Sequence, residues 1–173
     1  VTSTPGEGSC FTLTLDLGVG TCPAILPDDI KDTVSLPELT QLDGLRLLVA
    51  EDNRVNRLLI RKFLADAPLD LRFAKNGAEA QELTKRFRPQ VILMDMSMPE
   101  MDGLTATRLI RMQNHPQPPI VALTANAFAS DREACLAAGM NGFLSKPINK
   151  KELLNGMAGV MEDPDGLRHA ASA

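Results

Sequence analysis

Over most of the chain, short apolar runs alternate with apolar residues spaced at helical intervals. Residues 45–50 read as a strand, and Val55, Leu58, Leu59 and Phe63 then mark one apolar face of a helix. Residues 69–74 are the next strand, followed by a helix over about 78–86 with Ala80, Leu83 and Phe87 in phase. Val91–Asp95 is a third strand, and Asp102-Gly103 opens a helix running to about Met112. Ile120–Thr124 is a fourth. Its helix is expected to open at Ser130, with Glu133 three residues on as a capping box, and to close at Gly139. A short fifth strand over 143–145 precedes a last helix striped by Leu153, Leu154, Met157, Val160 and Met161.

Five strand-then-helix units imply a parallel sheet with right-handed crossovers and helices on both faces, a doubly wound α/β domain. Five are too few for an eight-stranded barrel. No G-x-G-x-x-G follows the first strand to build a dinucleotide site.

Before this domain the pattern changes. Residues 5–10 read as a turn-rich opening, and over residues 11–17 Phe11, Leu13, Leu15 and Leu17 alternate with Thr12, Thr14 and Asp16, a strand with one apolar face. Such a strand invites pairing with a sheet edge or with a second chain. Residues 18–40, with Pro23, Pro27 and Pro37 among Asp28, Asp29 and Asp32, suit a linker. The expected division is therefore 1–17, linker 18–40, main domain 41–161 and a flexible tail 162–173 rich in Asp, Pro, Gly, Ala and Ser.

Composition narrows the function. The chain has 173 residues, 44% hydrophobic and 23% charged, which is enough apolar material for a core. A net charge of -4 disfavours phosphate backbones and anionic lipid, and the six aromatics are all Phe, leaving no Trp or Tyr on which bases could stack. Nucleic acid is excluded as an expected partner. Cys10, Cys22 and Cys135 make no C-x-x-C pair and read as isolated thiols in a reducing compartment. No apolar run approaches the roughly 18 residues of a membrane span, and no signal peptide opens the chain, so a cytoplasmic setting without membrane contact is expected. The first residue is Val1, and the expectation is a piece of a longer protein whose membrane anchorage, if any, lies outside this segment.

The carboxyl ends of the strands are where such sheets bind ligands. Glu51 and Asp52 follow the first strand, Asp95 ends the third, Thr124 ends the fourth, and Lys146-Pro147 follows the fifth. Taken singly, Asp52 or Asn53 could cap a helix, Thr124 could satisfy a loop amide and Lys146 could be solvated. Asp95 differs: it follows Val91-Ile92-Leu93-Met94, a run typical of a central strand, where a carboxylate is costly unless paired. Three carboxylates about 5 Å apart repel by roughly 3 kcal/mol per pair at an effective dielectric near 20. A hard divalent cation such as magnesium, together with Lys146, would offset that. No G-x-x-x-x-G-K-[ST] loop cradles a nucleotide, so a phosphoryl group would arrive on another molecule, with Asp95 as nucleophile and Thr124 as hydrogen-bond donor. Met94, Met96, Met98 and Met101 read as core that flanks the acidic pocket.

The succession Glu51-Asp52-Asn53, Met94-Asp95, Met98-Pro99, Met101-Asp102-Gly103, Ala122-Leu123-Thr124-Ala125 and Lys146-Pro147 closely resembles the receiver domains of two-component response regulators, over about residues 42–161. The resemblance implies a flavodoxin-like sheet of strand order 2-1-3-4-5. It implies Mg2+ held by Asp52 and Asp95 directly, by Glu51 through water and by the backbone carbonyl of Ser97. It also implies a cis Lys146-Pro147 bond, and a switch in which Phe143 turns inward as Thr124 moves toward the phosphoryl group. The face from Ala127 and Phe128 through the fifth strand and last helix would then change shape, and the side chains of Ser97 and Asn126 would border the path of hydrolytic water. The run Glu51-Asp52-Asn53-Arg54-Val55-Asn56 resembles receivers fused to hybrid sensor histidine kinases, and residues 6–15 resemble the closing strand of a kinase ATP-binding domain.

The expected function is that of a phosphoacceptor: Asp95 takes a phosphoryl group from a kinase histidine and passes it to a histidine phosphotransfer protein. Two alternatives stand beside it. One is a degenerate receiver that only docks proteins. The other is a magnesium-dependent phosphatase of the haloacid-dehalogenase type, which would need a second Asp where this chain has Ser97. His115 and His169 sit in no phosphorylatable helix motif, so autophosphorylation on histidine is not expected.

Overall fold

The computed structural model describes residues 1–4, 6, 8–10, 12, 42–113, 116–125 and 129–163. The chain divides into two compact units, Val1–Lys31 and Asp32–Ala173.

In the first unit, β1 (Thr2–Thr4) pairs antiparallel with β2 (Gly8–Cys10), Thr2 facing Cys10. Part of the expected turn-rich opening is thus strand. Gly6 and Gly8 take φ of 87° and 105°, which lets the chain reverse between short polar strands that carry no apolar alternation. The alternating run over 11–17 lies outside the described residues except for Thr12, as do the linker 18–40 and residues 164–173.

The second unit is a five-stranded parallel sheet in the order β4-β3-β5-β6-β7, which in strands of this domain is 2-1-3-4-5. Its elements are β3 (Arg46–Ala50), α1 (Arg54–Phe63), β4 (Asp70–Ala74), α2 (Gly77–Phe87), β5 (Val91–Asp95), α3 (Gly103–Arg111), β6 (Ile120–Thr124), α4 (Ala129–Ala138), β7 (Gly142–Ser145) and α5 (Lys150–Glu162). This is the flavodoxin-like doubly wound fold.

Alternation along each strand divides the core between two faces. Leu47, Val49, Leu93, Val121 and Leu123 pack with Ile60 of α1 and with Leu153, Leu154 and Met157 of α5. Leu48, Ala50, Ile92, Met94 and Ala122 face the other way, against Ala80 of α2, Ala106 and Ile110 of α3 and Cys135 of α4. Each large side chain buried this fully contributes about 1.5–3 kcal/mol. The central strands β5 and β6 are buried at every residue, which is why their sequences read as unbroken apolar runs.

Two helices differ from their sequence patterns. In α1 the buried residue is Ile60, and of the expected stripe only Phe63 packs against the core, whereas Val55 and Leu58 are 70% and 53% exposed. Asn56 and Arg57 instead turn toward the preceding loop, where they find polar acceptors, and this sets the rotation of the helix. In α4 the helix begins at Ala129, which places Ser130 inside the first turn rather than at the cap. Asn53, Asn76, Asp102 and Asn149 cap α1, α2, α3 and α5, each side chain accepting a backbone N–H two or three residues on. Gly139, at φ 96°, ends α4 as expected. Among the described residues no helix is long and apolar enough to cross a membrane.

Candidate functional site

Strand register brings the distinctive polar residues to one edge. Ala50 lies beside Met94, so Glu51, the next residue, enters the space beside Asp95. Asp95 lies beside Leu123, and Thr124 lies beside Ser145, so Thr124 and Lys146 follow across the same edge. Glu51, Asp52 and Asp95 each offer a carboxylate oxygen within 4.8 Å of the others. Glu51 and Asp95 are buried and Asp52 is exposed. Thr124 is buried, and its carbonyl accepts the Lys146 N–H at 2.7 Å.

Lys146 is the counter-charge. Its Nζ lies 2.6 Å from Asp95 Oδ2 and 2.8 Å from Glu51 Oε2. The Lys146-Pro147 bond that follows is cis. Burial pushes the Asp95 carboxyl above its ordinary range, with the Glu51 charge adding to the effect and Lys146 and the Ser97 N–H opposing it. Burial works to lower the Lys146 ammonium, but its hydrogen bonds to Asp95 and Glu51 and their charges outweigh that, and its pKa is raised.

The remaining acceptors of the pocket are shared out among nearby donors. Asp95 Oδ1 accepts the Ser97 N–H at 3.1 Å. Glu51 Oε1 accepts from the Asn53 N–H at 3.2 Å and from Asn56 Nδ2 at 3.0 Å. Three clustered carboxylates against one ammonium leave an excess of two negative charges on hard oxygen donors, which is the donor set and charge a magnesium ion requires. Two of these carboxylates already accept from protein donors, so the cluster is anchored and not simply solvated.

Phe143, in β7, is half-buried against the α2–α4 face, and the Arg132 guanidinium of α4 lies 5.3 Å from its ring centre. Met94 and Met98 are buried in that face and Met96 and Met101 pack against it, next to the acidic edge. Asn126, Ala127, Phe128 and His115 lie outside the described residues. Sequence reasoning assigned no role to Asn56, Arg57 or Arg132. Asn56 and Arg57 follow the acidic pair by five residues each and stand in the first turn of α1, a position that could have marked them as within reach of the loop.

Comparison with known proteins supplies a context for this geometry. A family model described as response regulator receiver domain matches residues 47–158. The sensor protein EvgS of Escherichia coli (strain K12) is 36% identical over 146 residues, covering 84% of this chain and 12% of EvgS. Among solved structures, the receiver domain of sensor histidine kinase PA1611 from Pseudomonas aeruginosa PAO1, with magnesium coordinated in its active site cleft, is 40% identical at a TM-score of 0.64, covering 69% of this chain and 99% of that one. The receiver domain of Ssk1 from Saccharomyces cerevisiae, solved with the histidine phosphotransfer protein Ypd1, is 28% identical at a TM-score of 0.63, covering 70% and 95%. The chain spans between 6% and 17% of the length of the curated relatives it matches.

Proposed function

This chain belongs to the response regulator receiver domain family, and we propose that residues 41–161 form a receiver that accepts a phosphoryl group from a histidine onto Asp95 and relays it to a histidine phosphotransfer protein. The observation that carries this reading is the placement of Lys146 Nζ 2.6 Å from Asp95 Oδ2 and 2.8 Å from Glu51 Oε2, beside three carboxylates within 4.8 Å of one another. A carboxylate held against an ammonium at the rim of an acidic cluster is poised to attack phosphorus.

In the transfer, an Asp95 oxygen forms the new O–P bond while the P–N bond to the donor imidazole breaks and its electron pair returns to that nitrogen. The product is an acyl phosphate on Asp95. Lys146 holds the carboxylate in one orientation and faces the charge that develops on the transferred group. Thr124, one residue beyond the neighbour of Asp95 in β6, would donate its hydroxyl to a phosphoryl oxygen. When bound by Asp52, Asp95, the Ser97 carbonyl and, through water, Glu51, Mg2+ would add positive charge against the phosphoryl oxygens. Arrival of the phosphoryl group would draw Thr124 inward and free space for Phe143, a population shift between two conformers.

The partner would approach over α1. This helix starts where the Glu51-Asp52 loop ends and exposes Val55, Leu58 and Leu59 among Arg54, Arg61 and Lys62. An apolar strip with a basic margin fits a helical protein that carries the reacting histidine above an acidic rim. We further place the domain in a hybrid sensor histidine kinase that works in the cytoplasm, with residues 1–17 as the end of a kinase ATP-binding domain and 18–40 as linker; the likeness to EvgS supports the first of these readings.

Incubation with acetyl phosphate and magnesium tests the reading. The expected result is a single phosphoryl adduct by intact mass, lost in Asp95→Asn. Sustained hydrolysis of many phosphomonoesters would instead support a phosphatase. Absence of any adduct, with tight binding to a phosphotransfer protein, would support a docking module.

A further inference from the structure

We infer that Arg57 is a positioning residue for the acidic loop: its guanidinium aims Asp52 into the pocket without touching the reacting groups. Arg57 Nη1 donates to the backbone carbonyls of Glu51 and Asp52, at 2.7 and 2.6 Å. One nitrogen thus gathers two successive carbonyls on the same side. That fixes the torsion between the two peptide planes, and the Asp52 side chain departs from the backbone between them.

Asp52 needs such a device more than its neighbours do. Glu51 is held by Asn53, Asn56 and Lys146, and Asp95 by Ser97 and Lys146. The exposed Asp52 carboxylate accepts no hydrogen bond or ion pair among the described residues. The loop backbone therefore sets where its Cα–Cβ bond starts, and with it which side-chain rotamers reach the pocket. Repulsion from Glu51 and Asp95 would otherwise turn it toward solvent, away from the position at which its oxygen lies within 4.8 Å of theirs. The bond also ties the first turns of α1 to the pocket, which accounts for the rotation that leaves Val55 and Leu58 outside.

This inference rests on the functional reading above and deepens it. It is tested by Mg2+ affinity, measured by titration calorimetry on the unphosphorylated chain, with thermal unfolding in the absence of metal recorded alongside. Groups that orient a metal's ligands typically cost about 10–100-fold in affinity when removed. Arg57→Ala should weaken Mg2+ binding on the order of tenfold, at the lower end of that range, and Arg57→Lys should fall between. Arg54→Ala removes the same charge from the same helix but no loop contact, and should stay within about twofold.

Equal affinity for Arg57→Ala and wild type would overturn the inference. So would equal weakening in Arg54→Ala, because loss of a cation by itself favours Mg2+ binding, and a weakening shared by both variants would come from the helix as a whole and not from the loop contact. A change confined to metal-free stability would reduce Arg57 to a structural residue and overturn it too. If Arg57→Ala does not fold, Arg57→Met decides: it keeps the apolar stem but no donor, and unchanged affinity there also contradicts the aiming role. Failure of the wild-type chain to bind Mg2+ at all would sink the functional reading itself, and this inference with it.

Discussion

The backbone carbonyl oxygen of Asp95 occupies the space that a side chain on Gly103 would need. The first residue of α3 thus packs directly under the residue proposed as acceptor, and its N–H bonds the carbonyl of Met96 at 3.2 Å. The obstruction is backbone, which cannot swing away as a side chain could. Gly103→Ala should cost about 1–3 kcal/mol of stability and shift Asp95 relative to Lys146. Urea unfolding checks the first effect, and the rate of labelling by acetyl phosphate checks the second. A variant as stable and as readily labelled as wild type would contradict the close approach.

At the opposite end of α3, Arg111 joins three segments. Its guanidinium donates to the carbonyls of Gly139 and Pro118 at 2.9 Å each, to Asn141 Oδ1 at 2.8 Å and to Gln117 Oε1 at 3.1 Å. Asn141 Oδ1, itself buried, also accepts the N–H that starts β6. Arg111→Ala is expected to destabilise by about 2–3 kcal/mol, because charged hydrogen bonds are lost and acceptors are stranded. Arg111→Lys should recover less than half of this, since an ammonium cannot match a planar fork. Urea midpoints should fall with an unchanged dependence on denaturant.

Asp102 predicts a pH dependence. As the cap of α3 it accepts the Thr105 N–H at 2.8 Å and the Thr105 hydroxyl at 3.0 Å, and chiefly the former holds its carboxyl below the usual range. A carboxylate whose folded pKa is lowered stabilises fully above its unfolded value of about 3.9, and that contribution is lost as pH falls through the folded value. Asp102→Asn keeps a capping oxygen but not the charge. It should be less stable than wild type by about 0.3–1 kcal/mol at neutral pH, the range for an exposed anion at a helix start. The difference should vanish below the folded pKa, and a constant difference across pH would rule out the charge as its source.

The fold was readable because its signals are local and redundant. Val91–Asp95 and Ile120–Thr124 are buried on both faces and so carry uninterrupted apolar runs, and several helix boundaries are marked by a cap such as Asn53 or a left-handed Gly139. The pocket was readable for a related reason: parallel strands place their carboxyl ends at one edge, so Glu51, Asp52, Asp95, Thr124 and Lys146 could be gathered from their places at the strand ends, while the strand order came from the family resemblance. The rotation of α1 was not. An apolar stripe through Val55, Leu58 and Leu59 looks like a core face, and only the pairing of Asn56 and Arg57 with the loop turns it outward. Such a choice depends on contacts between side chain and backbone that periodicity does not encode. The hairpin of β1 and β2 was missed because Thr2–Thr4 and Gly8–Cys10 are polar and glycine-containing, without the alternation that marks a half-buried strand.

That outward stripe supplies a prediction separating docking from chemistry. Val55 and Leu58 are exposed on the helix that follows the acidic loop, so placing charge at Leu58 should leave the reaction with a small donor intact. Leu58→Glu should take up phosphoryl from acetyl phosphate within about twofold of the wild-type rate, because a small donor needs no docking face. Transfer to or from a histidine phosphotransfer protein should fall on the order of a hundredfold, as expected when an apolar anchor at the centre of an interface is replaced by a buried charge. Leu58→Met, which preserves the apolar surface, should retain most of the transfer. Paired rate measurements with the two donors decide the matter. Equal loss in both assays would mean that Leu58 supports the pocket, and equal retention would move the partner to another face of the domain.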